Sequence, residues 1–209
     1  LTLPKLDESW LQAFSDSLRE ASELFNVSLI GGDTTKGPLN ITITIMGTVK
    51  KSKAIKRSGA KNGDDIYVSG DLGRAALCLK KINEGSQPST TELNKLNKPV
   101  PRLSLGSALK NIASSCIDIS DGLLADMAHL AECSALHFEI DLDKLPLSES
   151  LENIQGDKAS KFALTSGDDY ELLFTIPESL WASLASSVNK SIFTPIGVVR
   201  EGAGVSVMD

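Results

Sequence analysis

Between Leu6 and Phe25 the apolar positions Leu6, Trp10, Phe14, Leu18, Ala21 and Phe25 recur at steps of three and four, which is the period of one helix face, and Asp7 or Ser9 is placed to cap the start. Such a helix is expected to lay its apolar stripe on a sheet. A short apolar run, Val27 to Ile30, leads into Gly31-Gly32-Asp33-Thr34-Thr35. Ile41-Thr-Ile-Thr-Ile-Met then alternates strictly, predicting a half-buried strand. From Lys50 to Lys61 basic residues replace apolar ones, and this stretch marks the boundary between a partial first domain, residues 1–52, and a second, residues 53–209.

In the second segment, Ile66 to Ser69 reads as a strand, Gly70 to Gly73 as a turn, and Arg74 to Ile82 as a helix carrying Leu77, Leu79 and Ile82. The polar stretch 83–101, with Pro88, Pro99 and Pro101, is expected to be a mobile surface connection with one helical turn at Glu92 to Leu96. Leu103 to Ala113 is a helix and Ser115 to Ile119 a strand. Gly122 to Cys133 is a helix with Leu123, Met127 and Leu130 inward and Asp126 on the solvated face. His137 to Leu142 is a strand. Ala163 to Ile176 ends in another, Glu178 to Val188 is helical behind Pro177, and Ile192 to Val199 is the last strand. Strands and helices alternating in this way predict an α/β (α+β) chain whose second domain is an αβ sandwich.

Composition narrows the picture. With 209 residues, 41% of them hydrophobic and 23% charged, the chain can bury a sizeable core and is not disordered. The net charge of −6 argues against general nucleic-acid binding. No apolar run approaches the roughly 20 residues of a membrane span, and the start resembles no signal peptide, so a soluble, cytoplasmic protein is expected. Cys78, Cys116 and Cys133 form neither a disulfide framework nor a zinc motif. The first residue is Leu and not Met, which reads as a fragment or as a chain whose ordered part begins late.

Candidate chemistry sits in four places. Asp118-Ile-Ser120-Asp121-Gly122 lies where a strand ends and a helix begins, the crevice in which α/β folds place ligands, and two crowded carboxylates suit Mg²⁺. The competing reading is that Asp121 or Ser120 only caps the helix, which leaves Asp118 unexplained. Gly31 to Thr35 can admit a phosphate and offers one carboxylate and two hydroxyls, but it is equally an ordinary turn, and the Gly-Lys-Ser/Thr of a P-loop is absent. The basic run can steer a polyanion, Arg57 best of all because its fork matches a phosphate, although charge runs are commonly solvated linkers. Ser166-Gly167-Asp168-Asp169-Tyr170-Glu171 packs three acids before an apolar strand; they are either merely exposed or able to bind a metal or a cationic ring. Trp10 and Trp181 read as packing residues, His129 and His137 as structural, and no nucleophile–base pair emerges.

In order, Gly31-Gly-Asp-Thr-Thr, Arg57-Ser-Gly-Ala-Lys with Gly63-Asp, Asp118-Ile-Ser-Asp-Gly-Leu and Ser166-Gly-Asp-Asp-Tyr-Glu-Leu resemble thiamine-monophosphate kinase over nearly the whole chain. The resemblance implies the aminoimidazole-ribonucleotide-synthetase-like superfamily, with two α/β domains, ATP, several Mg²⁺ ions and a homodimer formed through the first domain. It further implies ATP contacts from Gly32, Asp33, Arg57 and Ser120, metal ligation by Asp33, Asp118 and Asp121, and a substrate contact from Asp168, where the family often has Glu. No catalytic base is assigned, because phosphoryl transfer from ATP to thiamine monophosphate uses an acceptor oxygen that is already anionic. The family's early Gly-Asp-Asp stretch and its aromatic-rich tail have no counterpart here, so the polypeptide alone is expected to be inactive or weakly active, with an incomplete first sheet. The alternatives are another ATP-dependent synthetase of the superfamily, such as an amidine-forming one, or a non-catalytic nucleotide-binding or dimerisation module.

Overall fold

The computed structural model describes residues 1–155 and 158–208. The chain divides into two compact units, Leu1–Thr48 and Val49–Asp209.

In the first unit, β1 (Thr2–Leu3) pairs in parallel with β2 (Thr35–Lys36), and α1 (Glu8–Phe25) lies between them in the chain. Asp7 caps α1 by accepting from the Trp10 amide at 3.1 Å, and Asn26 ends it in the left-handed conformation. Trp10 stacks on Phe14, with ring centroids 5.2 Å apart. No residue of α1 is buried, and Leu3 alone is buried among the described residues of this unit. The strand expected at Ile41 to Met46 is absent: the segment has no ladder bonds, and Ile43, Ile45 and Met46 are exposed. A strand exists only through a neighbour's amides and carbonyls; Asn40 makes one antiparallel bridge to Thr2, and the two-residue β1 offers the segment beyond it nothing further to pair with.

In the second unit, β3 (Asp64–Ser69), β4 (Ser115–Ile119), β5 (His137–Asp141), β6 (Glu171–Pro177), β7 (Phe193–Arg200) and β8 (Gly204–Met208) form one sheet in the order β4-β6-β3-β7-β5-β8. Every neighbouring pair is antiparallel except β5 and β8. The expected strands stop at β7; a three-residue turn, 201–203, is enough to start β8, and Gly202 in it and Gly204 at the start of β8 hold φ of 122° and 90°.

Helices cover both faces. On one, α2 (Arg74–Asn83), α5 (Leu123–Ser134), α6 (Glu149–Gln155) and α7 (Ala159–Thr165) pack Leu77, Leu123, Met127, Leu130, Leu151 and Ala163 onto Ile66, Val68, Ile117, Ile119 and Leu173. On the other, α4 (Leu103–Ala108) and α8 (Trp181–Ser187) cover an aromatic cluster of Tyr67, Phe174, Trp181 and Phe193 with Leu105 and Leu184. Period-2 alternation does the sorting: Ile66 and Val68 face one layer, Tyr67 the other. Burial pushes the Tyr67 hydroxyl up to about 12, with Asp65 adding to the effect.

Two stretches depart from expectation. The 83–101 connection contains a full helix, α3 (Thr90–Asn97), set by a Ser89–Glu92 capping box. Glu92 is buried and accepts from Lys81 of α2 at 2.7 and 3.0 Å, which docks the segment; Lys81 and Ser89 hold its carboxyl below the usual range against the opposing pull of burial. The helix expected over 103–113 ends at Ala108, and Asn111 follows in the left-handed conformation.

Candidate active site

Three loops meet at one end of the second unit's sheet. Strand β4 ends at Ile119, β3 ends at Ser69 and β6 begins at Glu171, so the turns 120–122 and 70–73 and the loop 166–170 are neighbours. On β4, Ile117 and Ile119 go inward and Asp118 is exposed. Asp118 lines an apolar cleft of about 590 Å³ with Tyr170, Leu103, Leu172, Pro99 and Pro101.

Neither Asp121 nor Ser120 caps α5. Asp126 does so from within the helix: one of its carboxylate oxygens accepts from the amides of Ser120, Asp121 and Gly122 at 3.0, 3.1 and 3.2 Å. Asp126 is buried and is thus not on the solvated face expected for it. A first-turn acid below a glycine N-cap satisfies the orphan amides and suits the helix dipole. Asp118 and Asp121 keep exposed carboxylates with no hydrogen bond or ion pair to their side chains among the described residues. Asp121, Asp126 and His129 each offer a ligand atom within 4.8 Å of the others, so exposed His129 stands beside the carboxylates and is not a core residue.

The 166–170 loop is tied to this turn. The Asp168 amide donates to the Ser120 carbonyl at 2.9 Å and the Tyr170 amide to the Ile119 carbonyl at 2.7 Å. Gly167 lies so close that a Cβ there would come 2.5 Å from the Ser120 oxygen. Asp168 is exposed and faces a second groove, of about 410 Å³, with Phe162, Leu79 and Lys80. The Tyr170 hydroxyl is 3.4 Å from Asp168, and the negative charge of that carboxylate, then burial, raises the phenol's affinity for its proton.

The other two acids of this motif, Asp169 in the loop and Glu171 at the start of β6, are not surface charges. Glu171 is 1% exposed and accepts two parallel bonds from Arg102, both 2.6 Å, besides bonds from Lys95 and Ser69. The paired carboxylate raises the Arg102 guanidinium further. Asp169, also 1% exposed, takes the Gly73 amide on both oxygens at 3.0 Å, and burial pushes it up to about 7. Counting back by twos from inward Leu173 places Glu171 on the buried face, so its burial was legible; that of Asp169, which precedes the strand, was not.

The structure thus brings Asp118, Ser120, Asp121 and Asp168 together. Arg57 is exposed, and its carbonyl accepts from Ser134 at the far end of α5, about 18 Å of helix from Asp121. Gly32 and Asp33 lie in the first unit, on an exposed loop where Asp33 accepts from the Thr34 amide at 2.8 Å.

Residues 1–49 match the family described as AIR synthase related protein, N-terminal domain. A crystal structure of thiamine-monophosphate kinase from Stenotrophomonas maltophilia K279a superposes with a TM-score of 0.92 at 38% identity, covering 99% of this chain and 69% of that one. The chain belongs to the thiamine-monophosphate kinase family. A structure of AaThiL complexed with AMPPCP and TMP superposes with a TM-score of 0.81 at 30% identity, over 99% of this chain and 67% of that one. The thiamine-monophosphate kinase of Salmonella typhimurium is 44% identical over 184 residues, 85% of this chain, and the chain spans 57% of that relative's length. Within the thiamine-monophosphate kinase family the loops around Asp118 and Asp168 therefore sit on a shared, mixed α/β scaffold.

Proposed function

We propose that the protein carrying this chain transfers the γ-phosphoryl group of ATP to thiamine monophosphate, giving thiamine diphosphate and ADP in thiamine diphosphate biosynthesis. The observation that carries the reading is the pair of backbone bonds, Asp168 to Ser120 and Tyr170 to Ile119, that holds two acidic loops as one surface in a chain of this family.

Asp118 and Asp121 fit Mg²⁺: both are exposed carboxylates with their oxygens uncommitted, and Mg²⁺ takes oxygen ligands and retains several waters. Asp126 has one oxygen engaged by three amides and serves to fix the turn, while His129 nitrogen suits a softer ion than Mg²⁺. In this reading Asp33 is a further ligand. Bound Mg²⁺ neutralises charge on the phosphates as they approach one another.

The chain's own residues supply position. By family resemblance Gly32, Ser120 and the fork of Arg57 contact the nucleotide, although the fold keeps Arg57 at the far end of α5 from Ser120, and Asp168 faces the acceptor. The acceptor phosphate oxygen is already anionic, so an in-line displacement requires alignment and charge compensation, with no general base. We further assign a homodimer formed through the first unit, where Leu24, Ile41, Ile43, Ile45 and Met46 are exposed, and a cytoplasmic setting. No described helix is long and apolar enough to cross a membrane.

The test is an assay of the full-length protein with Mg-ATP and thiamine monophosphate. Thiamine diphosphate and ADP are expected in equal amounts; ADP formation that ignores thiamine monophosphate contradicts the reading.

A further inference from the structure

Asp169 has no part in the chemistry just described, yet it is the most enclosed residue of its loop. Its carboxyl grips the Gly73 amide with both oxygens, and Gly73 is the N-cap of α2, which has no side-chain cap of its own. The residues on either side, Asp168 and Tyr170, both hold left-handed backbones, with φ of 65° and 50°. Non-glycine residues adopt that region at a cost, a bulky one such as tyrosine most of all, and keep it only where surrounding contacts over-determine it. Here the contacts are three: the amides of Asp168 and Tyr170 bonded to the 119–120 carbonyls, and the Asp169 carboxyl bonded from the opposite side to Gly73. The outcome is that residue 169 points inward while Asp168 and Tyr170 are exposed.

We propose that Asp169 is a positioning residue: its grip on the Gly73 amide holds segment 168–170 against the 119–121 turn and so presents Asp168 to the acceptor. The inference rests on the phosphoryl-transfer reading for what Asp168 meets, but the clamp itself is a property of the fold.

The test uses the full-length protein and two readouts. Asp169→Leu is close in shape and accepts no hydrogen bond. It is expected to speed amide hydrogen exchange at Gly73, Asp168 and Tyr170 together, and to raise KM for thiamine monophosphate about tenfold while leaving KM for ATP unchanged. Asp169→Asn, whose carboxamide oxygen accepts the same bond, is expected to restore most of both. In an Asp168→Ala background, Asp169→Leu is expected to add no further rise in KM, because it acts through the residue already removed.

Unchanged exchange at Asp168 and Tyr170, or full additivity of the two substitutions in KM, overturns the proposal. Should the leucine variant fail to fold, Asp169→Ala carries the same readouts. If the protein does not phosphorylate thiamine monophosphate, the functional reading fails separately, and amide exchange still decides whether Asp169 is the clamp.

Discussion

The two units carry hydrophobic patterns of similar quality and put them to different use. In Leu1–Thr48 an 18-residue amphipathic helix leaves its apolar residues at most half-buried, and a strictly alternating segment forms no ladder. In the larger unit a five-residue strand, Ser115–Ile119, is placed residue for residue by the same kind of pattern, because β6 lies beside it and α5 above it. Periodicity thus names the face an element would bury; whether the element forms, and what covers it, depends on partners elsewhere. The second unit also spends its charge differently. Four of its buried acids, Glu92, Asp126, Asp169 and Glu171, tie a loop or helix to its neighbour, whereas Asp16 and Glu23 of α1 meet only Gln12 and Arg19 of the same helix among the described residues.

If that contrast is sound, the largest stability effect belongs to Glu171→Gln. It leaves Lys95 and Arg102 facing a neutral group, and a loss of about 3 kcal/mol is expected in urea unfolding; a loss below 1 kcal/mol would place the pair among ordinary surface bridges. Asp126→Ala comes next. Three amides lose one acceptor, and since Asp121 is exposed water can replace part of it, so about 2 kcal/mol is expected. An unaltered midpoint would return Asp126 to the solvated face.

Asp169 gives a pH-dependent effect. Its folded-state affinity for the proton is raised to about 7, by burial first and then by Glu171 and Asp71, with the Gly73 amide and Lys95 opposing. Between about pH 4 and 7 the folded state therefore holds a proton that the unfolded state has released, and stability from this group falls as pH rises through that window. Asp169→Asn is expected to lose less stability than the parent between pH 4 and 7; a parallel profile would contradict the shift. The smallest effect is expected in the first unit: Ile43→Thr in the isolated chain should change stability by less than about 0.5 kcal/mol, because Ile43 is 70% exposed there. A cost near 1.5 kcal/mol would mean that the alternating segment is covered after all.

Much of the second unit was legible because its stripes have partners: α5 was expected at Gly122 to Cys133 and spans Leu123–Ser134, with Leu123, Met127 and Leu130 fully inside. What escaped was chiefly buried charge. Asp126 sits three residues after Leu123 and four before Leu130, at the edge of the apolar stripe, and the glycine N-cap above it was the one local sign that orphan amides need an acceptor. Glu92 looks like any acid in a polar connection until Lys81, eleven residues earlier, is brought against it. The site divides the same way. The four residues at the sheet end belong to motifs that could be read, while the clamp proposed for Asp168 depends on Gly73 and Asp169, 96 residues apart.

The most direct measurement is the steady-state rate of thiamine diphosphate formation by full-length Asp118→Asn beside its parent, with Tm taken on the same samples. Asp118 is exposed and its carboxylate makes no hydrogen bond or ion pair among the described residues, so Tm should move by less than about 2 °C while kcat falls by a factor on the order of 100 or more. A rate within about threefold of the parent at unchanged Tm would contradict the placement of phosphoryl transfer at this end of the sheet.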